Sequence, residues 1–126
     1  MSLKSPLGQV RGLGSAKEGV QHWWAQRITA LALIPLGLWF VISIIVMAGA
    51  SHADMVDWLS SPFSAGIALL VIVATFWHAM LGIQVVIEDY VHHEGLKIAS
   101  LLVIKGLLLL LGVACALSVI VLLVQG

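Results

Sequence analysis

The chain has 126 residues, six Lys/Arg against six Asp/Glu, a formal net charge of zero, 61% apolar residues and only 10% charged ones. With a mean hydropathy of +1.11, this excludes an ordinary soluble domain, and the lack of any basic or acidic run excludes nucleic acid and other polyelectrolytes as partners. Cys115 is the only cysteine, so the chain has no internal disulfide and no Cys-based metal site.

Residues 1–26 read as an N-terminal arm at the cytoplasmic face or the membrane interface. Lys4, Arg11 and Lys17 lie in it, but no short apolar run followed by a small-residue cleavage site marks a signal peptide. Pro6, Gly8, Gly12, Gly14 and Gly19 break a helical pattern, so most of the arm is expected to be extended or irregular. Residues 27–126 form the second unit, an all-α membrane domain of three transmembrane helices. Crossing the hydrocarbon takes about 20 apolar residues, and the stretches at about 27–49, 65–90 and 97–124 meet that requirement. Isolated strands would leave backbone groups unpaired in lipid. Pro35 lies within the first span and predicts a mild kink, and Ser60-Ser61-Pro62 is a start signal for the second after a loop at 50–64.

Direction follows from the cations. Lys4, Arg11, Lys17 and Arg27 precede the first span and Lys97 lies in the second connection, while the loop at 50–64 has only Asp54 and Asp57. The N-terminus and second connection are therefore expected on the cytoplasmic side, with the first loop and C-terminus opposite, in a bacterial cytoplasmic (inner) membrane. Trp23 and Trp24 fit one interfacial belt and Trp58 the other. Lys105 can snorkel toward the cytoplasmic interface.

Ionisable residues inside a span are costly and point to function. His78 stands out: it precedes Asp89 by eleven residues, roughly 16 Å along a helix. A neutral imidazole is cheap to bury and can ligate a metal or haem iron. His78, Gly82, Val85 and Asp89 share one helical stripe with Thr75 and Ala79 beside it, and small residues there admit a flat macrocycle or another helix. The alternative is a histidine that only hydrogen-bonds a neighbouring helix. His22, His52, His92 and His93 fall at interfaces or in loops, so a bis-histidine haem needs its second ligand from another subunit. Asp89 and Tyr90 close the second helix and Arg27 opens the first, which would put the three at similar depth. There they could bind a quinone carbonyl, relay protons or pair with haem propionates, or serve as ordinary interfacial residues. Glu88, His92, His93 and Glu94 read as solvated end residues, and Gly112 and Ala116 as a small-residue packing pair.

His78-Ala79-x-x-Gly82 with Asp89-Tyr90 downstream, and Gly19-Val20 followed by Arg27-Ile28-Thr29-Ala30, resembles the hydrophobic membrane-anchor subunit of succinate dehydrogenase, a cytochrome b-type anchor of respiratory complex II. The likeness runs from about Gly19 to the end. It implies a non-catalytic subunit of an oxidoreductase complex, partnered by a flavoprotein subunit, an iron-sulfur subunit and a second anchor subunit. It also implies haem b shared with that second anchor, with His78 as one axial ligand to the iron, and ubiquinone as substrate. By the same resemblance, Tyr90 would hydrogen-bond the quinone, Asp89 would support that site, and Arg27 would lie near the haem propionates and quinone pocket. Some relatives have a histidine two residues after the glycine of the Gly-Val element, where this chain has Gln21 and places His22 one position later. An anchor of a quinone-linked fumarate reductase, and a non-redox membrane assembly accessory protein, are the competing readings.

Overall fold

A computed structural model describes residues 6–7 and 17–126 of the chain. Lys4 and Arg11, and most of the arm read as irregular, lie outside the described residues. The described chain forms four helices in sequence: α1 (Lys17–Val46), α2 (His52–Leu59), α3 (Pro62–Tyr90) and α4 (Glu94–Gln125). Among the described residues there is no strand. Helices α1, α3 and α4 are each long and apolar enough to cross a membrane, in agreement with the three expected spans.

Two features differ from the sequence reading. Helix α1 begins at Lys17, ten residues before the expected start of the span, so the segment 17–26 is helical rather than irregular. A glycine in a helix costs only about 1 kcal/mol relative to alanine, and Gly19 is outweighed by the good helix formers around it. The same helix continues through Pro35. The first connection, expected as a plain loop, contains α2, an eight-residue helix.

Helix α2 owes its start to a capping box. The Ser51 hydroxyl accepts from the Asp54 backbone N–H at 3.2 Å, and the Asp54 carboxylate accepts from the Ser51 backbone N–H at 3.2 Å. Hydrogen bonds from the Ser51 hydroxyl and then the Ser51 backbone N–H hold the Asp54 carboxyl below its usual pKa. A depressed carboxylate pKa contributes stability that is present above the unfolded value and is lost as pH falls through the folded one. The cap therefore persists through neutral pH and loosens in acid, below the usual carboxylate range. NMR titration of Asp54 is expected to show the lowered pKa in the wild type and a return to the ordinary range in Ser51→Ala; an unmoved pKa in that variant would contradict the cap.

The turns between the spans are equally local in origin. After α1 the chain reverses at Gly49, whose φ of +86° is a conformation open to glycine at little cost. The Ser61 hydroxyl accepts from Ser64 N–H at 3.3 Å, with Pro62 in the first turn, so α3 starts where the Ser-Ser-Pro signal places it. His93 is exposed, as expected of a solvated end residue, and also caps α4: its Nδ1 accepts from Leu96 N–H at 3.1 Å.

Helix α3 packs against both α1 and α4, while α1 and α4 make no packing contact among the described residues. The spans thus form a row with α3 in the middle, not a closed bundle. Helix α2 sits at one end of the row against α3 and α4, and Trp58 stacks on Trp39 of α1 with ring centroids 5.6 Å apart. Contact between helices relies on small side chains, as lipid offers no hydrophobic drive between apolar surfaces. Ala65 and Ala74 of α3 are buried, and Gly112 of α4 lies against Phe76, whose ring carbon would be 3.2 Å from a Cβ at that position. Most large apolar side chains face outward. A row of helices with so little buried inside it needs lipid or partner helices to cover both broad faces.

Candidate functional site

Two apolar grooves, one between α3 and α4 and one between α1 and α2, hold no titratable side chain and offer no polar chemistry. The polar groups gather instead along the seam between α1 and α3. On α1 the spacing of His22, Gln26 and Thr29 puts them on one face, and that face meets the stripe His78, Gly82 and Val85 of α3.

Three pairings fix the antiparallel register. Thr29 Oγ1 lies 3.0 Å from His78 Nδ1. The Gln26 side-chain amide nitrogen is 3.5 Å from where a Cβ on Gly82 would lie. His22 and Val85 line one polar cavity of about 300 Å³ together with Gly19, Gln84 and Glu88. Within that cavity Gln84 donates to the Glu88 carboxylate at 3.0 Å, and Glu88 is exposed, as expected of a solvated end residue.

His78 is half-buried and makes one hydrogen bond, through Nδ1, to Thr29, which is only 4% exposed. Its Nε2 bonds to no group among the described residues. Close by, His22 Nε2 and Gln26 Oε1 are buried without a hydrogen-bond partner, and buried polar atoms in a folded protein are normally paired. A seam with a free imidazole nitrogen, a glycine one turn along and two orphaned polar atoms fits a group that brings its own metal and polar substituents. Among the described residues no cluster of three or more His, Cys, Asp or Glu could hold a bare metal ion. A metal held at His78 would need its other ligands from outside the described residues.

The remaining predicted site residues are not gathered around His78. Asp89 and Tyr90 are exposed at the C-terminal end of α3, Tyr90 at 78%. Arg27, expected at their depth, is set by the register almost level with His78, roughly 13 Å along the helix from Asp89. The reason is the early start of α1: Arg27 lies in its third turn, not at its end. The guanidinium lies over the Trp23 ring, 5.0 Å from its centroid, one turn back toward Asp89 and Tyr90. Trp23 in turn meets Trp24 edge-on at 5.0 Å. The Asp89–Tyr90 pair and the His78 seam are thus separate centres along one helix, with the Arg27 head between them in depth.

Sequence reasoning misses Gln26 and the structural part of Thr29, and puts His22 at an interface. The signal is present as an i, i+4, i+7 polar stripe on α1, visible once the helix is extended back to Lys17.

Comparison with known proteins gives the chain its place. The family model for the succinate dehydrogenase/fumarate reductase transmembrane subunit matches residues 1–123. A succinate dehydrogenase hydrophobic membrane anchor subunit of Rickettsia bellii is 33% identical over 103 residues, 81% of this chain and 82% of the relative. The corresponding subunit of Paracoccus denitrificans is 35% identical over 86 residues, 68% of this chain and 67% of the relative. A succinate dehydrogenase membrane anchor subunit of Reclinomonas americana is 34% identical over 92 residues, 71% and 77% of the two chains. With three helices able to span a membrane, the chain belongs to the succinate dehydrogenase/fumarate reductase transmembrane subunit family and is a multi-pass protein of the inner membrane.

Proposed function

We propose that this chain is one of two anchor subunits of a succinate:ubiquinone oxidoreductase, that it supplies one axial ligand to a haem b, and that it forms part of the ubiquinone-reduction site. The observation that carries this reading is His78 on an apolar spanning helix, held at Nδ1 and free at Nε2. The names of the relatives favour succinate over fumarate as the partner complex's substrate.

In this reading His78 is the ligand of this chain, and the second comes from the partner anchor, because His22, His52, His92 and His93 do not face His78 across the seam. A bound b-type haem supplies a one-electron store near the quinone. Gly82 keeps the helix surface low beside His78, and the buried, unpartnered His22 and Gln26 offer polar atoms to the edge of the group.

Ubiquinone reduction takes up two electrons, delivered by an iron-sulfur partner, and two protons. Tyr90 donates its phenolic proton in a hydrogen bond to a quinone carbonyl, strengthening as negative charge develops on that oxygen. Asp89, its neighbour at the water-facing end of α3, keeps that end hydrated and can pass protons inward. Arg27 adds positive potential from one side. The cation asymmetry of the connections supports an orientation with the N-terminus and the Asp89–Tyr90 end on the cytoplasmic side, where soluble catalytic subunits and protons are available.

The whole-subunit test is deletion. Membranes lacking this chain should release succinate-oxidising activity, followed with an artificial dye, into the soluble fraction and lose succinate-dependent ubiquinone reduction. Membrane-bound activity with undiminished quinone reduction would refute the proposal.

A further inference from the structure

The hydrogen bond between Thr29 and His78 has a direction that the surrounding geometry determines. Thr29 Oγ1 lies 2.8 Å from the carbonyl oxygen of Ala25 and 3.0 Å from that of Gln26. Carbonyl oxygens only accept, so the single hydroxyl proton of Thr29 is directed at them. The oxygen's lone pairs are then what Thr29 presents to His78, and the 3.0 Å contact to Nδ1 requires the proton to be on Nδ1. A neutral imidazole protonated at Nδ1 has its lone pair on Nε2. Thr29 is 4% exposed, so water does not compete for its oxygen.

We propose that Thr29 is a positioning residue for the haem ligand. Anchored through its hydroxyl to the α1 backbone, it holds His78 in the Nδ1–H tautomer, sets the ring plane and makes Nε2 the iron-ligating nitrogen. This inference rests on the haem reading of His78 given above. Its physical content is that of an outer-shell acceptor: a hydrogen bond from the distal ring nitrogen orients the imidazole and raises its basicity toward the metal. Because the acceptor is on α1 and the ligand on α3, the bond also couples ligand geometry to the packing of these two helices.

The test uses the assembled complex with its partner subunits and three variants. Thr29→Val keeps the shape and removes the acceptor, Thr29→Ser keeps the acceptor, and His78→Leu removes the ligand. In Thr29→Val, haem retention should fall about 10-fold, and the midpoint potential of the b-type signal should rise because a less basic imidazole stabilises the ferric state less. Thr29→Ser should restore both to the wild-type values. A Thr29→Val complex with unchanged haem retention and potential, alongside loss of the signal in His78→Leu, would overturn the positioning role and leave the haem reading standing. An unchanged signal in His78→Leu would overturn the haem reading itself. Independently of whether Thr29→Val assembles, ¹⁵N NMR of histidine-labelled wild-type complex with the haem in its low-spin ferrous, diamagnetic form reads the tautomer directly. A proton on Nδ1 of His78 supports the proposal, and one on Nε2 overturns it.

Discussion

Replacing His78 with leucine in the assembled complex is expected to remove or shift the b-type band in reduced-minus-oxidised spectra, while the subunits still associate. The effect should exceed the roughly 10- to 100-fold loss of affinity that follows from losing an outer-shell partner, since the bond to the iron itself is lost. Leucine is chosen because it fills similar space without a donor at a position that is half-buried. The variant also leaves the Thr29 hydroxyl bonded to its own helix, so α1 is not left with an orphaned donor. A b-type spectrum identical to wild type would mean that His78 only links two helices, and the second-anchor model would need a different ligand.

The second large effect is expected at Tyr90. Tyr90→Phe should slow succinate-dependent ubiquinone reduction by about 10- to 100-fold, the range given by one hydrogen bond to an oxygen that becomes charged. Succinate oxidation with an artificial dye should be unchanged, because electrons then leave before the membrane site. Tyr90 is 78% exposed in the isolated chain, so its side chain carries little packing and the substitution should not disturb the fold. Reduction of ubiquinone at the wild-type rate in this variant would remove Tyr90 from the site and shift attention to the polar cavity at His22 and Glu88. The separation between Tyr90 and His78 predicts that the two variants have distinct signatures, one in turnover with quinone and the other in the spectrum.

Much of this is legible in the sequence because the bilayer imposes a simple rule: a long apolar run must be a helix. The Ser-Ser-Pro start of α3 and the anomaly of His78 in an apolar run need no tertiary information. The start of α1 is obscured because Gly19 and the charged residues near it look like a helix breaker in isolation, whereas a helix entering the membrane extends past its apolar part. The same difference displaces Arg27, which a helix starting at residue 27 would put at the depth of Asp89. Helix α2 is hidden because its eight residues are too few for a periodic signal, although the Ser51 and Asp54 spacing is a capping box. The role of Thr29 cannot be read at all without the register between α1 and α3, since threonine in a transmembrane helix commonly bonds only its own backbone.

The arrangement of the spans as a row has a consequence for how substitutions combine. Because α1 and α4 pack on α3 and make no packing contact with each other among the described residues, the His78–Thr29 seam and the Phe76–Gly112 seam are joined through the central helix. Thr29 and Gly112 lie on the two helices that do not meet, so free-energy changes from substitutions at these two positions are expected to add to within about 0.3–0.5 kcal/mol. The two outer contacts can thus vary separately, one flank of α3 changing while the opposite flank retains its grip.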